Sequence, residues 1–184
     1  EQGIGKSLLA ESFGWTLDYL GLAEVLRGYA GPGMAPMEAL QTPWKRYFRL
    51  VGLPEETALK QLTRELISTG ETSPLLLGAT LQFILGKNAE GNQGEAALVR
   101  LHDTKERYAV VRQLLTMLAR KMPLVLLLED VQWSADVIEA LRFVLLGHSD
   151  EEQEVLFVVT CGPGRTDEQK ESEKALDGLV EELE

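Results

Sequence analysis

Residues suited to phosphate and metal chemistry occur at two places in the chain. The first is the run EQGIGKS, Glu1 to Ser7, in which two glycines precede a lysine and a serine. It matches the second half of the phosphate-binding pattern G-x-x-x-x-G-K-[ST]. Glycines let backbone N–H groups turn toward an anion, Lys6 can reach outer phosphates, and the Ser7 hydroxyl suits a bridging Mg²⁺. We therefore predict a phosphate-binding loop that opens into a helix near Lys6.

The second place is the run PLVLLLED at residues 123–130. Five apolar residues followed by two acids predict a buried parallel strand that ends in carboxylates. One carboxylate can hold Mg²⁺ and the other can orient or activate a water molecule. We assign the metal to Glu129 and the base role to Asp130, and the order Glu-Asp leaves the reverse assignment open. The alternative is a pair of solvated acids after a buried strand.

The spacing of apolar residues predicts the elements that hold these groups. Alternating helices and strands indicate an α/β fold with an open, mostly parallel sheet and right-handed crossovers. In such sheets the ligand lies at the carboxyl ends of the strands, where Gly5, Glu129 and Thr160 are expected. The predicted strands cover residues 25–29, 124–128 and 155–160, and the predicted helices run from Lys6 to Gly21, from Thr42 to Gly52, from Pro54, from Ser73 to Leu85, from Asp103 to Lys121, after Ser134, and over residues 167–184.

One of these boundaries rests on a particular local signal. Thr42 and Pro43 predict a helix start, because a hydroxyl can cap the first turn and proline fits there. Trp44, Phe48 and Val51 would then line the buried face of this helix.

Length and composition restrict the classes of function. A chain of 184 residues with 45% apolar residues can bury one core. It has no run of 18 apolar residues, so we expect no membrane span. The single Cys161 makes a reducing, cytoplasmic setting the default expectation. The net charge of −11, carried mainly by acids after residue 122, argues against nucleic-acid binding by this segment.

The segments EQGIGKS, TPWKRYFRLVGL, PLVLLLEDVQWSAD and VLFVVTCGP together resemble the AAA-type ATPase domain of the STAND class of P-loop signalling NTPases. Such domains occur beside nucleotide cyclases, Ser/Thr kinases, histidine kinases and transcriptional activators. The resemblance implies a three-layer P-loop NTPase sandwich with a mostly parallel sheet and a helical insertion at about residues 42–122. It also implies that residues 1–184 are a partial domain, truncated at both ends, whose sheet exposes an unpaired apolar edge.

The resemblance further implies ATP and Mg²⁺ as ligands. Lys6, Glu129 and Asp130 would then be catalytic, and Ser7, Glu129 and Asp130 would hold the metal. Thr160 would sense the γ-phosphate, or would simply end a strand as a β-branched residue. The full set of expected nucleotide contacts is Glu1, Gln2, Gly3, Ile4, Gly5, Lys6, Ser7, Leu8 and Thr160.

The function implied is ATP–Mg²⁺ binding and slow hydrolysis, acting as a nucleotide-dependent switch in a multidomain signalling protein. ATP and ADP, other domains of that protein, and ATP-dependent self-association are the expected partners. Relatives often carry an arginine two residues after the Thr160 position, but this chain has Gly162, which weakens the case for an arginine sensor. The alternative is a degenerate nucleotide-binding scaffold without turnover. A small-molecule kinase would need an acceptor site that the sequence does not show.

Overall fold

A three-stranded parallel sheet forms the centre of the computed structural model, which describes residues 5–70, 73–86, 99–147 and 154–183. Its strands lie side by side in chain order, so β2 is central: β1 (Glu24–Tyr29), β2 (Leu124–Glu129) and β3 (Val155–Val159). Glu24 pairs with Leu124, and Leu124 pairs with Val155. Because the strands are parallel and in this register, their carboxyl ends meet at one edge of the sheet.

Seven α-helices surround this sheet in the described ranges. Together with the sheet they confirm the α/β class. A single turn of 3-10 helix, Val131–Trp133, directly follows β2. The helices are α1 (Lys6–Tyr19), α2 (Glu38–Tyr47), α3 (Glu55–Ser68), α4 (Pro74–Leu85), α5 (Thr104–Ala119), α6 (Ala135–Leu145) and α7 (Asp167–Leu183).

Different helices cover the two faces of the sheet. Gly14 of α1 lies against the side chains of Val25 and Arg27 on one face. On the other face, Gly28 lies against the Ala39 carbonyl of α2. This second face carries the main hydrophobic core, to which the helices α2 to α6 contribute. None of the helices in the described part of the chain is long and apolar enough to cross a membrane.

The side of α1 that meets the sheet is made of small residues. Ala10 and Gly14 are the buried residues of this helix. Leu9 and Phe13, which lie at the predicted helical spacing, are 74% and 40% exposed. Within the described residues β3 pairs only with β2, and Leu156 on β3 is exposed.

The predicted helix start at Thr42 and Pro43 is wrong. α2 begins at Glu38, and Pro43 lies inside it. The Thr42 hydroxyl donates to the Glu38 carbonyl (2.9 Å) instead of capping a first turn. Proline cannot donate to the carbonyl four residues earlier, so Ala39 O is left without its usual helical partner. That oxygen faces Gly28 on β1, where the missing side chain allows the close approach.

The same helix ends before the predicted stop at Gly52. Its last residue is Tyr47. Trp44 and Phe48 are buried as predicted, but Val51 lies beyond the helix and is 68% exposed.

The other predicted elements are confirmed to within a few residues. Ser73 caps α4, because its hydroxyl accepts from the N–H of Leu76 (3.4 Å). Asp103 caps α5 in a reciprocal capping box with Glu106. These caps explain why both helix starts were readable from the sequence. The composition of the run GKNAEGNQG, from Gly86 to Gly94, predicts a loop, and all of this run after Gly86 lies outside the described residues.

Candidate functional site

Lys6 begins α1, and its side chain reaches the carboxyl end of β3. Its Nζ donates a hydrogen bond to the carbonyl oxygen of Cys161 (2.8 Å). Gly5, directly before the helix, has a left-handed φ of 76°. Another residue type at Gly5 would be strained by this backbone conformation, although no atom occupies the space of a Cβ. The sequence thus uses glycine where the chain turns into α1 beside the carboxyl edge of the sheet.

Asp130 follows β2 at the same edge. Its φ of 54° is left-handed, which aspartate tolerates better than most residues. The Asp130 N–H donates to the Thr160 hydroxyl (3.2 Å), and the Val131 N–H donates to the Thr160 carbonyl (3.1 Å). Thr160, which directly follows β3 and is buried, therefore joins the loop after β2 to the loop after β3.

Gln132 joins the same two loops through its side chain. Its Oε1 accepts a hydrogen bond from the Gly162 N–H (2.8 Å), and its Nε2 donates to Oδ1 of Asp130 (3.4 Å). Only 7% of Gln132 is exposed. Sequence reasoning missed this residue. A glutamine between Val131 and Trp133, two apolar residues, was the available signal of a buried polar contact.

Glu129 ends β2 on the face covered by α1. Side chains alternate along a strand, and Leu126 and Leu128 belong to the core on the opposite face. Glu129 therefore lies on the side where Lys6 and Ser7 begin α1. Glu129 is half-buried, whereas Ser7 is exposed in the first turn of the helix.

The structure thus brings Lys6, Glu129, Asp130 and Thr160 to one edge of the sheet. Leu8 is 70% exposed in the first turn of α1. Four of the predicted nucleotide contacts lie outside the described residues: Glu1, Gln2, Gly3 and Ile4.

The oxygen donors at this edge are two carboxylates and a hydroxyl, which are the ligand types that Mg²⁺ prefers. The described part of the chain contains no cluster of three or more metal-ligating side chains. Mg²⁺ in nucleotide sites is usually held by one or two carboxylates, phosphate oxygens and water, and not by a closed protein cage. Glu129, Asp130 and the Ser7 hydroxyl fit that kind of open site, and they would not form a structural metal site on their own.

The charge of Lys6 acts on its neighbour Cys161. Burial raises the pKa of the Cys161 thiol, and the Glu173 carboxylate raises it further. The Lys6 ammonium opposes these effects and lowers the pKa. Lys6 thus supplies positive potential at the carboxyl edge in a chain whose net charge is −11.

Trp133 lies between two cavities beside this edge. One cavity of about 180 Å³ lies next to Gly31, which follows β1. The other, of about 440 Å³, lies between the 3-10 turn and α7, next to the buried Gln169 and Ser172. Trp133 is 43% exposed and contributes to the walls of both cavities.

No family model, curated protein or solved structure matches this chain significantly. The resemblance to the AAA-type ATPase domain of the STAND class therefore rests on the four sequence segments quoted above and on their order in the chain.

Proposed function

We propose that the chain is a P-loop NTPase domain that binds ATP with Mg²⁺ and acts as a nucleotide-dependent switch with slow hydrolysis. The observation that carries this proposal is the hydrogen bond from Lys6 Nζ to the carbonyl of Cys161 (2.8 Å). Cys161 follows Thr160, whose hydroxyl accepts from the Asp130 N–H. Lys6 of the first motif and Asp130 of the second are thereby linked through Cys161 and Thr160.

In this proposal Lys6 exchanges the Cys161 carbonyl for phosphate oxygens. The first N–H groups of α1 have no partner within the helix, and the helix dipole favours an anion at that end. Gly5 admits the left-handed turn that brings these N–H groups together. Their combined effect is to bind and orient the phosphate chain.

The carboxylates and the Ser7 hydroxyl act on the metal and on water. When bound, Mg²⁺ would neutralise charge on the outer phosphates. Ser7 and Glu129 would hold it, and Asp130 would orient the attacking water and accept its proton. The hydrogen bond of Asp130 Oδ1 with Gln132 would fix the direction of that carboxylate.

Slow turnover is expected from the loop after β3. Position 162 is a glycine whose N–H is bonded to Gln132. A guanidinium at a transferring phosphate accelerates such reactions strongly, and position 162 provides none. The same observation favours the second candidate function, a scaffold that binds nucleotide without turnover.

Nucleotide binding is tested by titrating the chain with a fluorescent ATP analogue in the presence of Mg²⁺. Lys6→Ala should weaken binding at least about tenfold, because a charge-assisted contact to phosphate is lost. Lys170→Ala is the matched control, since Lys170 is an exposed lysine on α7. Equal affinity of wild type and Lys6→Ala would rule the proposal out.

A phosphate-release assay distinguishes the enzyme from the scaffold. Slow release by the wild type that is lost in Asp130→Asn supports hydrolysis. Asparagine keeps the size of the side chain and tolerates the left-handed backbone at this position. Binding without release by the wild type supports the scaffold.

We also propose that ATP binding controls two kinds of interaction: self-association of this domain, and contacts with other domains of a larger signalling protein. The support is the pair of exposed apolar residues Leu9 and Phe13, which lie four residues apart on one side of α1. Light scattering with ATP and with ADP tests this assignment, and identical masses with both nucleotides would contradict self-association.

A further inference from the structure

A further cavity, of about 780 Å³, lies beside β1. Its walls come from β1, from the C-terminal part of α2 and from α3. Four arginines line it: Arg27 from β1, Arg46 and Arg49 from the end of α2, and Arg64 from α3. Two carboxylates, Glu24 and Glu65, also line it, so the cavity carries an excess of positive charge in a chain of net charge −11.

The guanidinium groups in this cavity are largely available to a ligand. The side chains of Arg46 and Arg49 form no hydrogen bond or ion pair with any described residue. Nη2 of Arg64 lies 3.4 Å from Oε1 of Glu65. This ion pair contributes little stability, because 74% of the Arg64 side chain and 42% of the Glu65 side chain are exposed. The Arg27 guanidinium is instead engaged on the α1 face of the sheet, where it stacks over the ring of Trp15 (5.7 Å) and lies against Gly14.

The backbone of Arg49 is held in an unusual conformation. Its φ is 56°, at the position after a helix that glycine usually takes. The Leu50 N–H donates to the Lys45 carbonyl (2.7 Å) and closes the helix end in this geometry. Non-glycine residues in the left-handed region carry a steric cost and cluster at ligand-binding positions. This turn directly after α2 places Arg49 in the wall of the cavity.

The free edge of β1 adds neutral donors. The N–H groups of Glu24 and Ala30 donate to carbonyls on the β2 side (both 2.9 Å). Backbone groups alternate in direction along a strand, so the N–H groups of Val25 and Arg27 point away from β2. No described strand pairs with this edge. The cavity, which Val25 and Arg27 line, thus combines guanidinium groups with unpaired backbone N–H groups.

This cavity is separate from the candidate nucleotide site. It is lined by the first four residues of β1, whereas the nucleotide motifs lie beyond Tyr29 and Glu129 at the carboxyl edge. The walls that α2 and α3 contribute also lie on the face of the sheet opposite α1, whereas Lys6 and Glu129 lie on the α1 face. The sheet therefore separates the two places.

We propose that this arginine-lined cavity binds a small polyanion that carries at least two phosphate groups. Each phosphate presents three acceptor oxygens, and the guanidinium fork matches two of them at once. The side chains of Arg46, Arg49 and Arg64, which come from α2, the turn directly after it and α3, border a volume within the usual range for small-molecule sites. A single carboxylate would engage only one arginine and leave the others without a partner.

The site is tested by calorimetric titration with inorganic pyrophosphate in a Lys6→Ala background. Removing Lys6 disables the candidate nucleotide site, so any binding that remains is independent of it. Arg46→Gln combined with Arg49→Gln should weaken binding at least about tenfold, because two charge-assisted contacts are lost. Lys105→Gln combined with Lys174→Gln removes the same charge from exposed positions outside the cavity and should change the affinity less than about twofold.

A gain of affinity provides a test that misfolding cannot mimic. Glu24→Gln removes a carboxylate from the cavity and should tighten pyrophosphate binding. The proposal is overturned if the Lys6→Ala chain binds no pyrophosphate. It is also overturned if the arginine and lysine double variants weaken pyrophosphate binding equally, or if Glu24→Gln does not tighten pyrophosphate binding. Tighter binding of citrate than of pyrophosphate would overturn the assignment to phosphate.

Discussion

The ammonium group of Lys6 donates to the carbonyl oxygen of Cys161 at 2.8 Å, across 155 positions of the sequence. This contact joins the first turn of α1 to the loop that follows β3. Asp130 and Thr160 are hydrogen-bonded in the same region, so a lysine from the first motif and an acid from the second lie at one edge of the sheet.

Lys6→Ala should slow the alkylation of Cys161. The Lys6 ammonium lowers the pKa of this thiol against the opposing effects of burial and Glu173. Without Lys6 the pKa rises further and less thiolate is present at a given pH. Glu173→Gln should have the opposite effect. The rate of reaction with iodoacetamide, measured over roughly pH 7 to 10, follows the ionisation of the thiol. The rate reports on Cys161 alone, because the chain has no other cysteine.

The sign of the associated stability change follows from linkage. The thiol pKa is raised in the folded state, so its contribution to stability is fully present below the unfolded pKa of about 8.5 and is lost as pH rises through the folded pKa. Lys170→Ala is the control for the alkylation rate. If Lys170→Ala shifted the pKa of the Cys161 thiol as much as Lys6→Ala does, a local effect of Lys6 would be contradicted.

Gln132→Leu should destabilise the fold. The substitution leaves the Gly162 N–H without its acceptor and frees the Asp130 carboxylate. An unsatisfied donor in a buried place costs about 1–3 kcal/mol. Urea denaturation measures the loss. Gln113→Leu, at an exposed position of α5, should change the free energy of unfolding by less than about 0.5 kcal/mol, and an equal loss in both variants would argue against the hydrogen bonds.

Gly28→Ala should destabilise the contact between β1 and α2. A Cβ at Gly28 would collide with the Ala39 carbonyl oxygen and lie 2.8 Å from Cδ2 of Leu128. Overpacking of this kind costs about 1–3 kcal/mol. Gly178→Ala is the matched control, because its nearest neighbour would be 3.8 Å away and alanine favours a helix by up to about 1 kcal/mol. Thermal unfolding measures both effects. A higher unfolding temperature for Gly28→Ala than for Gly178→Ala would disprove this explanation.

The sequence indicated those elements whose signals are local. The apolar run at residues 124–128 and the Ser73-Pro74 cap predicted their elements because each signal lies within a few residues of the structure it forms. The start of α2 was not predictable in this way. Pro43 is tolerated inside the helix because Gly28, on a strand earlier in the chain, leaves room for the Ala39 carbonyl.

Side chains that converge from separate elements gave the weakest sequence signal. Gln132 meets Gly162 only because β2 and β3 are neighbours. The arginine-lined cavity draws on β1, α2 and α3, and no spacing along the chain relates Arg27 to Arg64. The shared edge of Lys6 and Asp130 was predictable because all parallel strands end on the same side.

The central claim is that Lys6 and the carboxylates after β2 act on one ATP–Mg²⁺, and a double-mutant cycle tests it most directly. The affinity for a fluorescent ATP analogue with Mg²⁺ is measured for wild type, Lys6→Ala, Glu129→Gln and the double variant. Each single substitution should weaken binding, and the double variant should lose less than the two losses combined, with a coupling of at least about 0.5 kcal/mol. Strictly additive losses, or wild-type affinity in Lys6→Ala, would contradict the claim.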